Sequence, residues 1–140
     1  MALGSQIDPE LISAYRAAEY RVEDGFVLLI DQPSQALDAW QAAKNVRCSA
    51  LITACNPAGR QAERRWNQAA TADLEAWLEQ QNLPFTPAAG LDPQTHWPAE
   101  PGFLIAGLNL EPARELGRRF NQNAIVCAGS DATPRLILLR

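Results

Sequence analysis

The side chains best placed to do chemistry begin where an apolar run stops. Ile52-Thr53-Ala54-Cys55 gives way to Asn56-Pro57-Ala58-Gly59-Arg60, and a long helical pattern follows. A strand that ends at Asn-Pro-x-Gly before a helix points free backbone N–H groups into one small volume. With the Asn56 amide and the Arg60 guanidinium they form a candidate anion cradle for phosphate or carboxylate. The plainer alternative is a turn that Asn56 holds by bonding its own backbone. The segment lacks the spacing and the lysine of a Walker loop. Asn67 falls beside the buried stripe marked by Leu74 and Leu78. A buried amide must find partners, so Asn67 either ties its helix to the Asn56 loop or faces a ligand. Glu100, between prolines at the mouth of an apolar strand, is a candidate general base. It also suits a cation partner for Arg60 or Arg64, or a solvated loop carboxylate. Trp97 either stacks on a planar ligand or covers the core edge. Gln122 joins a helix to a buried strand, and reaches the same crevice if the two central strands are neighbours; a structural amide is the alternative.

Other reactive types carry less. His96 is the single histidine and lies in a proline-stiffened loop without a nucleophile motif, which predicts a surface position. Cys48, Cys55 and Cys127 are odd in number and widely spaced, so they form neither a disulfide framework nor a zinc ligand set. Cys55 and Cys127 read as small buried hydrophobes. Arg64-Arg65 and Arg118-Arg119 are interleaved with acids and read as solvated helix faces. No metal and no cofactor is implied.

The elements that must position these residues follow from periodicity. Residues 9–18 read as a helix capped by Asp8 with Pro9 at its first position. A hairpin follows, with Tyr20 and Val22 alternating, Asp24-Gly25 as a two-residue turn, and Phe26 to Ile30 returning. Ser34 caps a helix carrying Leu37 and Trp40. Ser49 to Cys55 reads as a central strand. The helix after Arg60 carries Trp66, Ala70, Leu74, Trp77 and Leu78 as its apolar face and ends near Asn82. Phe85 to Leu91 is a strand whose prolines, Pro84 and Pro87, predict a sheet edge. Residues 92–101 are a loop, Phe103 to Gly107 a buried strand, and Asn109 caps a helix with Leu110, Ala113, Leu116 and Phe120 facing inward. Asn121 stops it in a left-handed conformation. Ala124 to Ala128 and Leu136 to Leu139 are the last strands. The fold class is α+β, with a largely antiparallel sheet built on a β-α-β-β-α-β core in ferredoxin-like order. An N-terminal helix and hairpin and an extra C-terminal strand complete one domain over residues 1–140.

Composition narrows the function. Apolar residues make up 47% and charged residues 20%, as in a globular domain with its own core. The net charge of −4 disfavours a nucleic-acid binder, which needs a basic face. Arginine supplies all the basic residues but Lys44, which suits planar anions. The early residues show no apolar signal region, and Phe26 to Ile30 is too short to span a bilayer. With free cysteines this predicts a cytoplasmic protein.

Thr53-Ala54-Cys55-Asn56-Pro57, Asn67, Trp97-Pro98-Ala99-Glu100-Pro101 before an apolar strand, and Phe120-Asn121-Gln122-Asn123-Ala124-Ile125-Val126 occur in that order. The set resembles the small bacterial proteins grouped as domain of unknown function family 3293, from about the Tyr15-to-Val22 segment onward. The resemblance implies a bacterial single-domain protein and no particular activity. Three positions depart from its pattern. Gly59 stands in place of a capping serine, Gly102 in place of a frequent serine, and Asn121 in place of a glycine. The first two weaken any role for a shared serine nucleophile. The leading functional expectation is a non-enzymatic binding or regulatory module. Its partner would be a small polar or anionic ligand, or a protein, held near Asn56, Gly59, Arg60, Asn67, Trp97, Glu100 and Gln122. The alternatives are a hydrolase or transferase, with Glu100 as base and Arg60 as anion stabiliser, and a protein-interaction module using a sheet edge or helix face.

Overall fold

Side chains alternate between the two faces of a strand, and both faces of the central strands are apolar, so the chain must cover each with helices. The computed structural model describes residues 4–94 and 98–140. The expectations for His96 and Trp97 fall outside those residues. Helix α1 (Pro9–Ala17) is followed by β1 (Glu19–Val22), β2 (Phe26–Leu28) and α2 (Gln35–Ala43). Then come β3 (Ser49–Thr53), α3 (Arg64–Gln80), β4 (Phe85–Leu91), β5 (Glu100–Ala106), α4 (Leu110–Arg119), β6 (Ala124–Ala128) and β7 (Arg135–Leu138). The strands form one sheet in the order β2-β1-β4-β5-β3-β6-β7, with every neighbouring pair antiparallel. The fold is a mixed α+β architecture. β3 and β5 lie at its centre, so the segments that follow β3 and precede β5 emerge side by side.

Each face has its own core. Tyr20, Val22, Leu51, Leu104 and Val126 pack with Leu37 and Trp40 of α2 on one side. Ile52, Phe103, Ile105 and Ile125 pack with Leu74 and Leu78 of α3 and with Ala113 and Leu116 of α4 on the other. Leu37, Leu74 and Leu78 are fully buried, each contributing roughly 1.5–3 kcal/mol. The expected caps form at Asp8, which accepts from the Glu10 N–H, and at Ser34, which accepts from the Leu37 N–H. Asn109 occupies the cap position of α4, yet its side chain accepts from Cys48 Sγ instead of capping.

The structure corrects several sequence expectations. β4 is interior, between β1 and β5. Pro87 is tolerated because its carbonyl accepts from the Glu23 N–H, beyond the paired end of β1. Its missing donor therefore points at a turn and not at a ladder. The hairpin turn has three residues, since Val22 pairs with Phe26 and Gly25 adopts φ 107°. Helix α3 starts at Arg64, after a separate 3₁₀ turn over Pro57–Gly59. Trp66 is 47% exposed. At about 100° per residue, a stripe kept at every fourth position drifts by about 40° each step. Trp66, three such steps before Leu78, has rotated off the core. Leu110 is exposed for want of a neighbour at the start of α4.

Candidate functional site

The turn after β3 does not make an anion cradle. Asn56, Ala58 and Gly59 all take left-handed conformations, with φ of 50°, 56° and 73°. This folds the N–H groups back onto the protein. The Asn56 N–H donates to Asn67 Oδ1 at 2.9 Å and the Ala58 N–H to the Asn121 carbonyl at 2.7 Å. The Gly59 N–H donates to the Asn56 carbonyl and the Arg60 N–H to the Pro57 carbonyl. Pro57 has none to give. Every backbone donor from residue 56 to residue 60 is thus spent, and the Arg60 side chain is exposed, lining neither of the hollows described below. The cradle expectation fails on both counts.

Asn56 is instead a structural hub. It is buried, and its Oδ1 accepts from the Ala62 N–H and from Asn67 Nδ2, each at 2.9 Å. Its Nδ2 donates to Glu100 Oε1 at 2.7 Å. Only this orientation of the amide serves all three, because the reverse would turn Oδ1 against a carboxylate. Asn67 and Asn56 exchange two hydrogen bonds, so Asn67 ties α3 to the turn. The left-handed φ suits asparagine, which tolerates that conformation better than most residues.

Glu100 and Gln122 do converge with Asn56. Gln122 Nε2 donates to the Cys55 carbonyl at 3.0 Å and to that of Phe120 at 3.2 Å, while its Oε1 accepts from Thr53 Oγ1 at 3.1 Å. It therefore clamps the end of β3 to the α4–β6 junction. The sheet register sets Tyr20, Gly90 and Glu100 in one row across β1, β4 and β5. Directly opposed residues share a face, so Tyr20 and Glu100 look the same way, toward α1. Gly59 packs beneath that helix. A Cβ on it would lie 2.6 Å from Asn123 Nδ2 and 3.0 Å from Leu11 Cδ1.

These residues enclose a hollow. Its inner part, about 60 Å³, is bounded by Tyr15, Thr53, Asn56, Glu100, Gln122 and Asn123. Past Tyr15, Tyr20, Gly59, Gly90 and Glu100, which border both parts, it opens into a mouth of about 310 Å³ beneath α1. Tyr15 OH accepts from Asn123 Nδ2 at 3.1 Å, and Tyr20 OH donates to the Tyr15 carbonyl at 2.7 Å. A separate groove of about 600 Å³ lies on the α3 side of Asn56, where Cys55, Asn67 and Thr71 face Pro98 and Pro101. The Cys55 thiol there is pushed up, chiefly by burial, which keeps it protonated and unreactive.

Burial is the main reason that both phenols are harder to ionise than usual. For Tyr20 the negative charge of Glu100 adds to it; for Tyr15 the Asn123 amide opposes it before Glu100 adds. Stability is therefore expected to fall as pH rises above 10, the ordinary phenol value. The unfolded phenol then ionises while the folded one stays protonated, so unfolding releases a proton and alkali favours it. The buried thiols act in the same direction from about pH 9. Melting curves between about pH 8 and about pH 11.5 check the sign. Tyr20→Phe should flatten the fall above pH 10. An unchanged slope would remove the phenol from this role.

Of the expected site residues, Asn56, Gly59, Glu100 and Gln122 border the hollow and Asn67 stands behind them. Arg60 does not take part, and Trp97 lies outside the described residues. Tyr15, Tyr20, Thr53, Gly90 and Asn123 complete the hollow and were not singled out. A signal existed for the tyrosines: each sits on an inward face, where a buried hydroxyl needs a partner. Among the described residues no group of three or more His, Cys, Asp or Glu is arranged to hold a metal ion. Among those residues no helix is long and apolar enough to cross a membrane.

No curated protein and no solved structure matches the chain. A family model described as "Protein of unknown function (DUF3293)" matches residues 52–125. The matched span holds Asn56, Asn67, Glu100, Gln122 and Asn123, and stops short of the α1 and β1 tyrosines. It covers more than half of the 140 residues, and the chain belongs to the DUF3293 family.

Proposed function

We propose that this protein is a non-catalytic binding module that holds a small molecule in the hollow beneath α1. One observation carries the reading. Side chains from α1, β1, β5, the turn after β3 and the α4–β6 junction meet around one hollow that widens toward the surface. Preformed concave sites with few, convergent polar groups on a rigid scaffold are what small ligands require. The hydroxyls of Thr53 and Tyr20 donate to Gln122 and to backbone, and the Glu100 carboxylate accepts from Asn56. Groups held in this way favour recognition over nucleophilic attack or proton transfer. A regulatory role would follow if filling the hollow changed how α1 sits on the sheet.

The test is a small-molecule screen read by amide shifts in ¹⁵N-labelled protein. Hits are expected to move the signals of Tyr15, Tyr20, Gly90 and Glu100. Ala14 lines the mouth, so Ala14→Phe should block it and abolish those shifts while leaving the melting temperature within about 3 °C. Arg60→Ala should leave the shifts intact. Hits that persist in Ala14→Phe, or that move only residues elsewhere, would overturn the reading.

A further inference from the structure

The mouth of the hollow has a chemical sign. Its apolar wall comes from Leu11, Ala14, Ala18 and Leu91. Its rim carries Asp8, Glu10 and Asp92, and its floor carries Glu100. Among the described residues lining it there is no lysine and no arginine. Two of these carboxylates are fixed by backbone donors: Asp8 Oδ1 accepts from the Glu10 N–H and Asp92 Oδ1 from the Gln94 N–H, each at 2.9 Å. The Asn56 amide orients Glu100 at 2.7 Å, and a neutral donor does not cancel a charge. The influence of Glu100 is felt at both phenols of the hollow. A concave site with one sign of charge and low-dielectric walls concentrates the opposite charge and repels its own. Aromatic walls favour a cation as well.

We infer that the ligand of this hollow is a small organic cation, a protonated amine on an apolar body, with the body against Leu11 and Leu91 and the ammonium directed at the Glu100 end. This rests on the binding-module reading above and names the ligand class for the same site. It also reverses the anionic preference expected from the arginine-rich composition. A mouth of about 310 Å³ suits a compact molecule.

Benzylammonium, benzyl alcohol and benzoate share one apolar body and differ in charge, so they form the probe set. Titrations at neutral pH and low salt, followed by the amide signals of Tyr20 and Gly90, should give benzylammonium an affinity about tenfold above that of benzyl alcohol, with benzoate weakest. Raising the salt should weaken only the amine. Glu100→Gln should lower amine affinity about fivefold or more and leave the alcohol unchanged. Because Glu100 also supports Asn56, the double variant Glu10→Gln/Asp92→Asn, confined to the rim, is the safer companion and should cost about threefold. If benzyl alcohol or benzoate binds in the hollow as tightly as the amine, the charge inference falls and the small-ligand reading stands. If none of the three moves these signals, the charge inference falls as well, and the screen with Ala14→Phe then decides the broader reading separately.

Discussion

Asn56→Asp is expected to destabilise the fold by about 3 kcal/mol at neutral pH and to recover much of that loss in acid. The substitution keeps the size and the Oδ1 position, so the bonds from the Ala62 N–H and Asn67 Nδ2 survive. What changes is the atom facing Glu100 Oε1 at 2.7 Å, where a donor becomes a second carboxylate oxygen. Two carboxylates at that distance cannot both stay ionised cheaply, and the pair titrates as a unit. The folded pair would ionise at a higher pH than the same groups unfolded. The difference from the wild type should therefore be small below about pH 4, where both states are protonated, and should grow as pH rises through the folded pair's titration. Asn56→Ala provides the contrast. It removes all three side-chain bonds and places a Cβ residue without compensation at φ 50°, so it should cost a similar amount with little pH dependence. Urea denaturation at about pH 4.5 and about pH 7 separates the two. An Asn56→Asp loss under about 1 kcal/mol, or one that does not move with pH, would show that Asn56 and Glu100 are not bonded as described.

Much of the fold was legible because periodicity reports it directly. The alternation in Ser49 to Cys55, the apolar runs of residues 103–106 and 124–128, and the caps at Asp8 and Ser34 each state a local preference that the tertiary structure kept. The places that were not legible are decided by neighbours distant in sequence. Pro87 reads as an edge residue until the end of β1 is known to lie opposite it. Asn-Pro-Ala-Gly reads as a helix start until three left-handed residues turn its donors inward, and an alanine at φ 56° is something no propensity scale anticipates. The candidate site divides in the same way. Asn56, Asn67, Glu100 and Gln122 were visible because amides and a carboxylate beside apolar runs must be paired or functional. The meeting of Tyr15, Tyr20 and Asn123 depends on α1 crossing to the far end of the sheet, which no local pattern encodes. Arg60 looked chemical by type alone and proved exposed.

Gly102→Ala is expected to cost about 3 kcal/mol and to weaken the site two residues away. Gly102 pairs with Thr53 across the β5–β3 ladder. A Cβ on it would stand 2.3 Å from the Ile52 carbonyl oxygen and 2.9 Å from Thr53 Cα. Both atoms belong to backbone at the middle of the sheet, so relief requires the strands to part. Gly102→Ser brings the same Cβ and should do the same, although a serine is what the family resemblance leads one to expect at this position. Gly90→Ala is the control, because its added Cβ would meet only the Tyr20 ring at 3.4 Å, and it should cost under about 1 kcal/mol. The consequence for function follows from chain order. Glu100 precedes Gly102 on β5, and Asn56 follows the end of β3, so a splay at this pair pulls apart the two ends of the 2.7 Å contact that closes the floor of the hollow. Urea midpoints should therefore drop for Gly102→Ala, and the amide signals of Asn56 and Glu100 should shift together while those of the β6–β7 pair hold. A Gly102→Ala protein with wild-type stability and unmoved Asn56 and Glu100 signals would mean that β3 and β5 have slack, and the hollow would then lose the rigid floor on which its selectivity depends.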